Sequence, residues 1–392
     1  MLTAYINKKN TIAISILVFI FIYISFKNNP IVWMDFCSRV VRRVHSGTLK
    51  TVVAKYVFDT ANYLDIQKIA TKVNAPDAWV SSEIEQNFSH YKLFGTESAI
   101  DTYNNSLGND NFILFIIKDG KVTHKNKKKD INNACKKAIN FYTKLLSYLA
   151  KHQYINNLVF NLRLSDSTNQ DYSKTIIQDL APIFAVTKDT SKHIDQYAIL
   201  IPDWMNLESW PLVWSKIKKA NDATPWDKKI PTIYWRGGDA DVSGYRDKVV
   251  KLSKKLNYQK LDAQFTYGSK VTTVFAAPED HIKYKYQLSI DGHTAAWERP
   301  VWQLYSNSIL LKQTSKLNQW FYPALVNEKH YIEVGTDPDK LLGVLSKYTD
   351  KQLYEIANEG HLFAKNHLMP EDMVAYLILV LQKYEKLQSK GS

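Results

Sequence analysis

Residues 232–247 read TIYWRGGDADVSGYRD: an apolar, strand-like run ends in Arg236-Gly237-Gly238, and Arg246 follows a short loop later. Glycines behind a strand let the backbone approach a ligand and bare its N–H groups, and the start of a following helix adds partial positive charge. A guanidinium in the first turn of such a helix can grip a diphosphate at two points. The chemistry this spacing permits is anion binding, with phosphate as the guest. The plainer alternative is a glycine-rich turn in which Arg246 pairs with Asp247 or Asp239. The pattern is neither G-x-G-x-x-G nor G-x-x-x-x-G-K-[ST], so the dinucleotide fingerprint and the P-loop both fail on spacing.

A second constellation lies between Lys283 and Lys312, KYKYQLSIDGHTAAWERPVWQLYSNSILLK. Here a strand runs into Asp291-Gly292, small residues including Ala295 and Ala296 open a helix, and Glu298-Arg299 fall in its first turns. If both strands share one parallel sheet, their carboxyl ends bring the two loops to one anion-facing site. The competing reading is an Asp-Gly turn followed by an amphipathic helix with Trp297, Val301 and Leu304 turned to the core.

Those loops need a scaffold, and the rest of the chain alternates strands with helices. FILFII (112–117) reads as a buried strand, with Lys118-Asp119-Gly120-Lys121 as a tight hairpin turn. Helical spacing follows over 134–149, then strands at 158–162, 183–186 and 198–201. The Trp- and Pro-rich stretch 206–229 reads as a connector between an N-terminal lobe (61–205) and a C-terminal lobe (230–370). The latter has strands near 232–235, 261–265, 286–290, 307–311 and 331–334, and helices near 244–256, 295–305, 338–347 and 350–366. A closing helix and tail occupy 371–392, where Glu371 and Asp372 suit the positive end of a helix. The pattern predicts an α/β fold.

The 392 residues, 45% of them hydrophobic, suffice for two cores, and a net charge of +13 favours a polyanionic neighbour. Only Cys37 and Cys135 are present, which excludes a disulfide-stapled scaffold and a structural zinc site. After a ten-residue tail, Thr11–Phe26 (TIAISILVFIFIYISF) is uncharged and bounded by Lys8, Lys9 and Lys27. As a helix it rises roughly 24 Å, close to the span of a bilayer core, and reads as an uncleaved transmembrane anchor. Residues 27–60 form a basic juxtamembrane segment; Lys27, Arg39, Arg42 and Arg43 outweigh Lys8 and Lys9, which places the large domain in the cytoplasm.

In order, PWDKKIPTIYWRGG, GYRD, LDAQFT, KYKYQLSIDGHTAAWER, SNSILLK and QWFYPALVNEKHYIEV resemble the blocks of glycosyltransferase family 90, over roughly residues 225 to 380. The likeness is thinner from about 112 to 166 (FIIKDGKVTH, VFNLRLSD). The resemblance implies a GT-B-like enzyme of two Rossmann-like lobes, with a UDP-sugar donor held mainly by the C-terminal lobe. Gly238 and Arg246 match positions that contact the donor diphosphate, within a donor-binding set of Arg236, Gly237, Gly238, Arg246, Asp291, Gly292, Ala295, Ala296 and Arg299. One departure stands out: the family's Ala-Ser-x-Arg is here Ala-Ala-Trp-Glu-Arg, so Glu298 falls where the Arg would be and Arg299 comes one position late. The family implies an Asp from the N-terminal lobe as base; Asp130 is the first choice here, with Asp119 and Asp166 as alternatives. It also implies no metal and no cofactor, and Asp239-Ala240-Asp241, which spells a D-x-D clamp, is read as part of the phosphate-side loop.

The expected function is inverting transfer of a sugar from a UDP-sugar to a hydroxyl of a glycan or lipid-linked glycan, such as lipopolysaccharide core or another surface polysaccharide. The protein would be anchored by a single N-terminal span with its catalytic domain in a bacterial cytoplasm, or in a lumen if eukaryotic, where Asn87-Phe-Ser and Asn104-Asn-Ser would be sequons. Two alternatives stay open: a family member that binds a nucleotide-sugar or glycan without turnover, and a membrane-anchored nucleic-acid-binding protein. Against the latter, the basic residues are scattered and show no stacking motif.

Overall fold

The computed structural model describes residues 64–106, 112–126, 131–164, 181–192, 195–241 and 243–389. The expected anchor (11–26), the basic segment (27–60), Asp130 and Asp166 lie outside them. Among the described residues no helix is long and apolar enough to cross a membrane.

Three helices, α1 (Ile66–Asn74), α2 (Ala78–Phe88) and α3 (Thr96–Asn105), lead into strands β1 (Phe112–Lys118) and β2 (Lys121–Asn126). Asp119 and Gly120 both adopt positive φ, 51° and 75°, the paired left-handed geometry that a two-residue Asp-Gly hairpin requires. Helix α4 (Asn133–Lys151) starts where the Asn132 side chain accepts the Cys135 N–H, and it buries Ile139, Tyr142, Leu145, Leu146 and Leu149, as their spacing predicts. Strands β3 (Leu158–Arg163), β4 (Ile183–Ala185), β5 (Lys188–Asp189) and β6 (Ile199–Leu200) follow.

The first sheet runs β2-β1-β3-β4-β6. It is mixed, where a Rossmann-like lobe would be parallel: β1 pairs antiparallel with both β2 and β3, and only β3-β4 and β4-β6 are parallel. A two-residue turn can only reverse the chain, which dictates the β1-β2 pairing; β1-β3 is antiparallel because of where β3 enters the sheet.

The last residues of the N-terminal lobe and the connector fold into α5 (Trp204–Glu208) and α6 (Trp210–Ala223), whose tryptophans reach both ways. Trp204 packs 6.4 Å from Phe141 of α4, and Trp214 packs 4.3 Å from Tyr305 in the second half of the chain.

That half contains β7 (Ile230–Gly238), α7 (Tyr245–Lys255), β8 (Leu261–Tyr267), α8 (Pro278–His281), β9 (Tyr284–Ser289), α9 (Arg299–Tyr305), β10 (Ile309–Lys312), β11 (Leu317–Asn318), β12 (Ile332–Glu333), α10 (Leu341–Leu345) and α11 (Asp350–His367). The second sheet, β12-β10-β9-β7-β8, is parallel at every pairing. Ile233, Trp235, Leu261, Ala263, Leu288, Ile290, Ile309 and Leu311 form its core. After β8 pairs on one side of β7, the chain crosses to place β9 on the other. Such a reversal opens a crevice at the carboxyl ends of the two central strands, here β7 and β9.

The helix expected over 295–305 begins only at Arg299. Trp297 has φ 50°, outside the helical range, and Pro300 stands at the first turn, so residues 292–298 remain a loop. Helix α12 (Pro370–Ser389) returns to the first sheet. There the Tyr384 hydroxyl donates to Val159 O at 3.0 Å, and Gln388 accepts from Val159 N at 3.0 Å and donates to Val159 O at 2.7 Å. The short strands β5 and β11 pair antiparallel as a second tie, and from Leu64 onward the chain forms one compact unit.

Candidate functional site at the carboxyl ends of the central strands

Strand β7 ends in a register shift between Gly237 and Gly238, where its partner on β8 jumps from Phe265 to Tyr267. A Cβ built on Gly238 would stand 2.3 Å from the Tyr267 ring, and one on Gly292 would stand 2.9 Å from Nη2 of Arg246. Both glycines therefore make room first for side chains of the protein itself. Arg246 uses that room to join the two loops. It donates from Nη1 to Gly238 O (3.0 Å) and Ala240 O (3.1 Å), from Nη2 to Ile290 O (3.0 Å), and from Nε to Asp291 O (3.1 Å). Four neutral carbonyl acceptors hold its orientation and leave its charge uncancelled. Asp247, the suggested partner of Arg246, pairs instead with Lys270 at 2.6 Å.

The start of α7 is already occupied by a carboxylate. Asp241 accepts the N–H groups of Ser243 (2.7 Å), Gly244 (3.0 Å) and Arg246 (2.6 Å), the donors a phosphate at that helix end would have needed. Asp239 turns the other way and accepts from Ser269 N, Ser269 Oγ and Lys270 N at 2.7–3.0 Å. The two carboxylates of the D-x-D triplet thus cap different loops. Among the described residues no cluster of three or more metal-ligating side chains forms.

Between the loops lies a cavity of about 270 Å³. Of the donor-binding residues expected from the sequence, Gly237, Gly238, Arg246, Gly292, Ala295, Ala296 and Arg299 line it. Arg299 donates from Nη2 to Arg236 O at 2.7 Å, while its Nη1 is enclosed with no hydrogen-bond partner. Burial brings the Arg299 pKa down to about 10, against the pull of Glu298, and burial lowers that of Arg246 as well. Two desolvated guanidiniums on one cavity, neither in an ion pair among the described residues, favour an anion that would complete them.

Arg236 and Asp291 do not join the cavity wall. The Arg236 side chain lies back along the sheet, with Nη2 2.8 Å from Asp262 Oδ2, Nη1 on two carbonyls, and the guanidinium 4.2 Å from the Tyr234 ring centroid. Asp291 accepts the Ser315 hydroxyl at 2.5 Å, and burial raises its pKa. Asp119 occupies the exposed β1-β2 turn, where its N–H donates to Asn157 Oδ1 at 3.1 Å.

Several wall residues were not among those expected from the sequence. Tyr267, 61% exposed, stands at the mouth; Met205 comes from the end of the N-terminal lobe; Glu298 lines the wall beside Arg299. In the sequence Glu298 stands beside Arg299 in the second constellation and marks the departure from the family pattern, with no site role expected of it. Burial raises its pKa. Behind it Asp203 caps α5 by accepting Met205 N at 3.0 Å, while its other oxygen is buried without a partner. Burial, reinforced by the charge of Glu298, pushes the Asp203 pKa up to about 8. No motif marks Asp203; a Pro-Asp-Trp cap signal was the one hint available. The hydroxyls of Thr187 and Thr294 meet across the two halves, which fixes the cavity loop against the first sheet.

Such an arrangement can hold a diphosphate on two cations, with carboxyl groups of raised proton affinity close by. Comparison with known proteins places the chain among relatives named for sugar transfer. Human protein O-glucosyltransferase 3 is 35% identical over 181 residues, 44% of this chain and 35% of the relative. Protein O-glucosyltransferase 2 of Danio rerio is 35% identical over 176 residues, 42% and 34% of the two chains. Human protein O-glucosyltransferase 1 is 30% identical over 234 residues, 53% and 58%. The matched part thus spans between a third and somewhat over half of these relatives. The model of glycosyl transferase family 90 matches residues 82–391, from within α2 almost to the last residue, and on that extent the chain belongs to this family.

Proposed function

We propose that the chain transfers a sugar from a UDP-sugar to a hydroxyl group, on a GT-B plan in which the second sheet holds the donor and the first faces the acceptor. The observation that carries this reading is the pair Arg246 and Arg299, both desolvated, both without a carboxylate partner, on one cavity at the β7/β9 switch point. Relatives named as protein O-glucosyltransferases support sugar transfer.

In the proposed reaction the acceptor oxygen attacks the anomeric carbon from the face opposite the nucleotide, and the bond from that carbon to the β-phosphate oxygen breaks. The electron pair leaves with UDP, whose growing charge the two guanidiniums stabilise in a site of low polarity. No metal is required in this scheme, because fixed positive charge is already present. The acceptor proton passes to a carboxylate: Asp130 and Asp166 stay as proposals, and Glu298 on the cavity wall joins them. We extend the reading to a membrane-anchored enzyme, held by residues 11–26 with its catalytic part on the cytoplasmic side, acting on a lipid-linked glycan such as lipopolysaccharide core. A second reading, donor binding without turnover, is favoured by Glu298, whose negative charge shares the cavity with the diphosphate seat.

The test is release of UDP from a panel of UDP-sugars by the full chain in detergent, with EDTA, against lipid-linked and soluble glycan acceptors. Turnover that Arg299→Met lowers by about 10²–10³-fold supports transfer. UDP binding without turnover selects the second reading. Absence of UDP binding overturns both.

A further inference from the structure

Strand β8 forms one edge of the second sheet, and the chain leaving it, residues 267–277 (YGSKVTTVFAA), does not cover its own apolar side chains. Tyr267 is 61% exposed, Val271 52%, Val274 82% and Phe275 72%. Four of the ten large apolar side chains left exposed among the described residues fall in this one loop, so they form a patch and not the usual scatter.

The loop is held firmly at its base. Asp239 accepts from Ser269 and Lys270, and the N–H groups of Thr272 and Thr273 both donate to Phe265 O, at 3.0 and 3.1 Å. Val274 and Phe275 project beyond the last of these bonds. A surface fixed in this way, with its most apolar residues outermost, calls for a partner that takes apolar tips.

Charge narrows the choice. No acidic residue occurs between Tyr267 and Pro278, and the Lys270–Asp247 ion pair (2.6 Å) ties the loop to the first turn of α7. That helix exposes Lys248, Lys251, Lys254 and Lys255, and Lys248, Lys251 and Lys255 line a groove together with Asp337 and Asp339. An exposed apolar loop that carries a lysine and no carboxylate, tied to the first turn of α7 where Lys248 is exposed, suits the interface of an anionic bilayer. The sequence supplies a second reason to choose lipid: the uncharged run Thr11–Phe26 would keep the chain beside a membrane.

We propose that Val274 and Phe275 insert into the interfacial layer of an anionic bilayer, which turns the cavity mouth, where Tyr267 stands, toward lipid-borne acceptor. This rests on the membrane-anchored reading given above.

The test uses the full chain reconstituted in vesicles of neutral lipid with about 30% anionic lipid. Phe275→Cys, in a Cys37→Ser background, is labelled with an environment-sensitive fluorophore; Cys135 is buried and stays unlabelled. Val274→Cys serves as a second reporter, and Lys351→Cys on α11 as the aqueous control. Insertion is expected to shift emission at 274 and 275 to shorter wavelength, with quenching by spin-labelled lipid, while 351 stays unshifted and unquenched. Protein that co-floats with vesicles but whose 274 and 275 probes behave like 351 overturns the insertion. A shift without lipid quenching assigns the tip to a protein contact and also overturns it. Protein that fails to co-float contradicts the anchor reading, and the insertion falls with it.

Discussion

Arg236 and Arg246 look alike in the sequence, two arginines on either side of a glycine pair, yet they receive opposite tasks. Arg236 is neutralised by Asp262 on the neighbouring strand, and Arg246 is held by carbonyls with its charge intact. The difference depends on the β7-β8 register, which no local motif displays. Arg236→Ala is therefore expected to cost about 3–5 kcal/mol of stability, as loss of one member of a buried pair does, while UDP affinity stays near native. Denaturant unfolding and a UDP titration check the two halves of that statement. Asp203 makes a pH prediction. Its folded pKa of about 8 lies above the unfolded value of 3.8, so its contribution is fully present below the unfolded value and is lost as pH rises through the folded one. Asp203→Asn keeps the Met205 cap without the charge. Its melting temperature is expected to fall less than the native protein's between about pH 4 and pH 8.

The order and type of elements were largely legible, because parallel strands buried on both faces read as apolar runs and helices carry a 3.6-residue period. Ile309–Lys312 lies close to where such a run places it, and Leu261–Tyr267, an edge strand buried at alternate residues, lies close to its expected position too. What stayed hidden depended on distant contacts. The antiparallel edge of the first sheet follows from where β3 pairs, and the late start of α9 follows from Trp297 at positive φ, a conformation held where Gln319 Nε2 donates to Trp297 O at 2.6 Å. The docking of α12 on β3 was equally invisible, since Gln388 and Val159 lie far apart in the chain. Gln388→Ala takes the partner from the Val159 N–H, while Tyr384 still serves the carbonyl, and is expected to destabilise the protein by about 1–3 kcal/mol, measured by denaturant unfolding. UDP binding should survive, because the change touches the sheet that does not carry the cavity.

At the scale of the molecule, the two sheets are joined by Trp204 and Trp214, the β5-β11 ribbon and the returning α12, and the cavity lies where the first half meets the 292–298 loop through Thr187 and Thr294. The place of the candidate site is legible in the sequence, because two glycine-arginine loops follow strands that pair side by side in one parallel sheet. Its inner chemistry was less so. Asp241 fills the helix end meant for phosphate, and the positive charge comes from Arg246 and Arg299 instead. The net charge of +13 gives no independent support for nucleic acid, because the proposed diphosphate site would draw on it as well.

The central claim is that Arg246 and Arg299 hold a nucleoside diphosphate at the carboxyl ends of β7 and β9. The most direct test is calorimetric titration of UDP into the full chain in detergent with EDTA, beside Arg246→Ala and Arg236→Ala. The expected result is saturable binding by the native protein and by Arg236→Ala, and at least about a 100-fold loss in Arg246→Ala, as expected for removal of a charged partner from a desolvated site. Native, folded protein that does not bind UDP, or an Arg246→Ala variant that binds it as tightly as native, would contradict the claim.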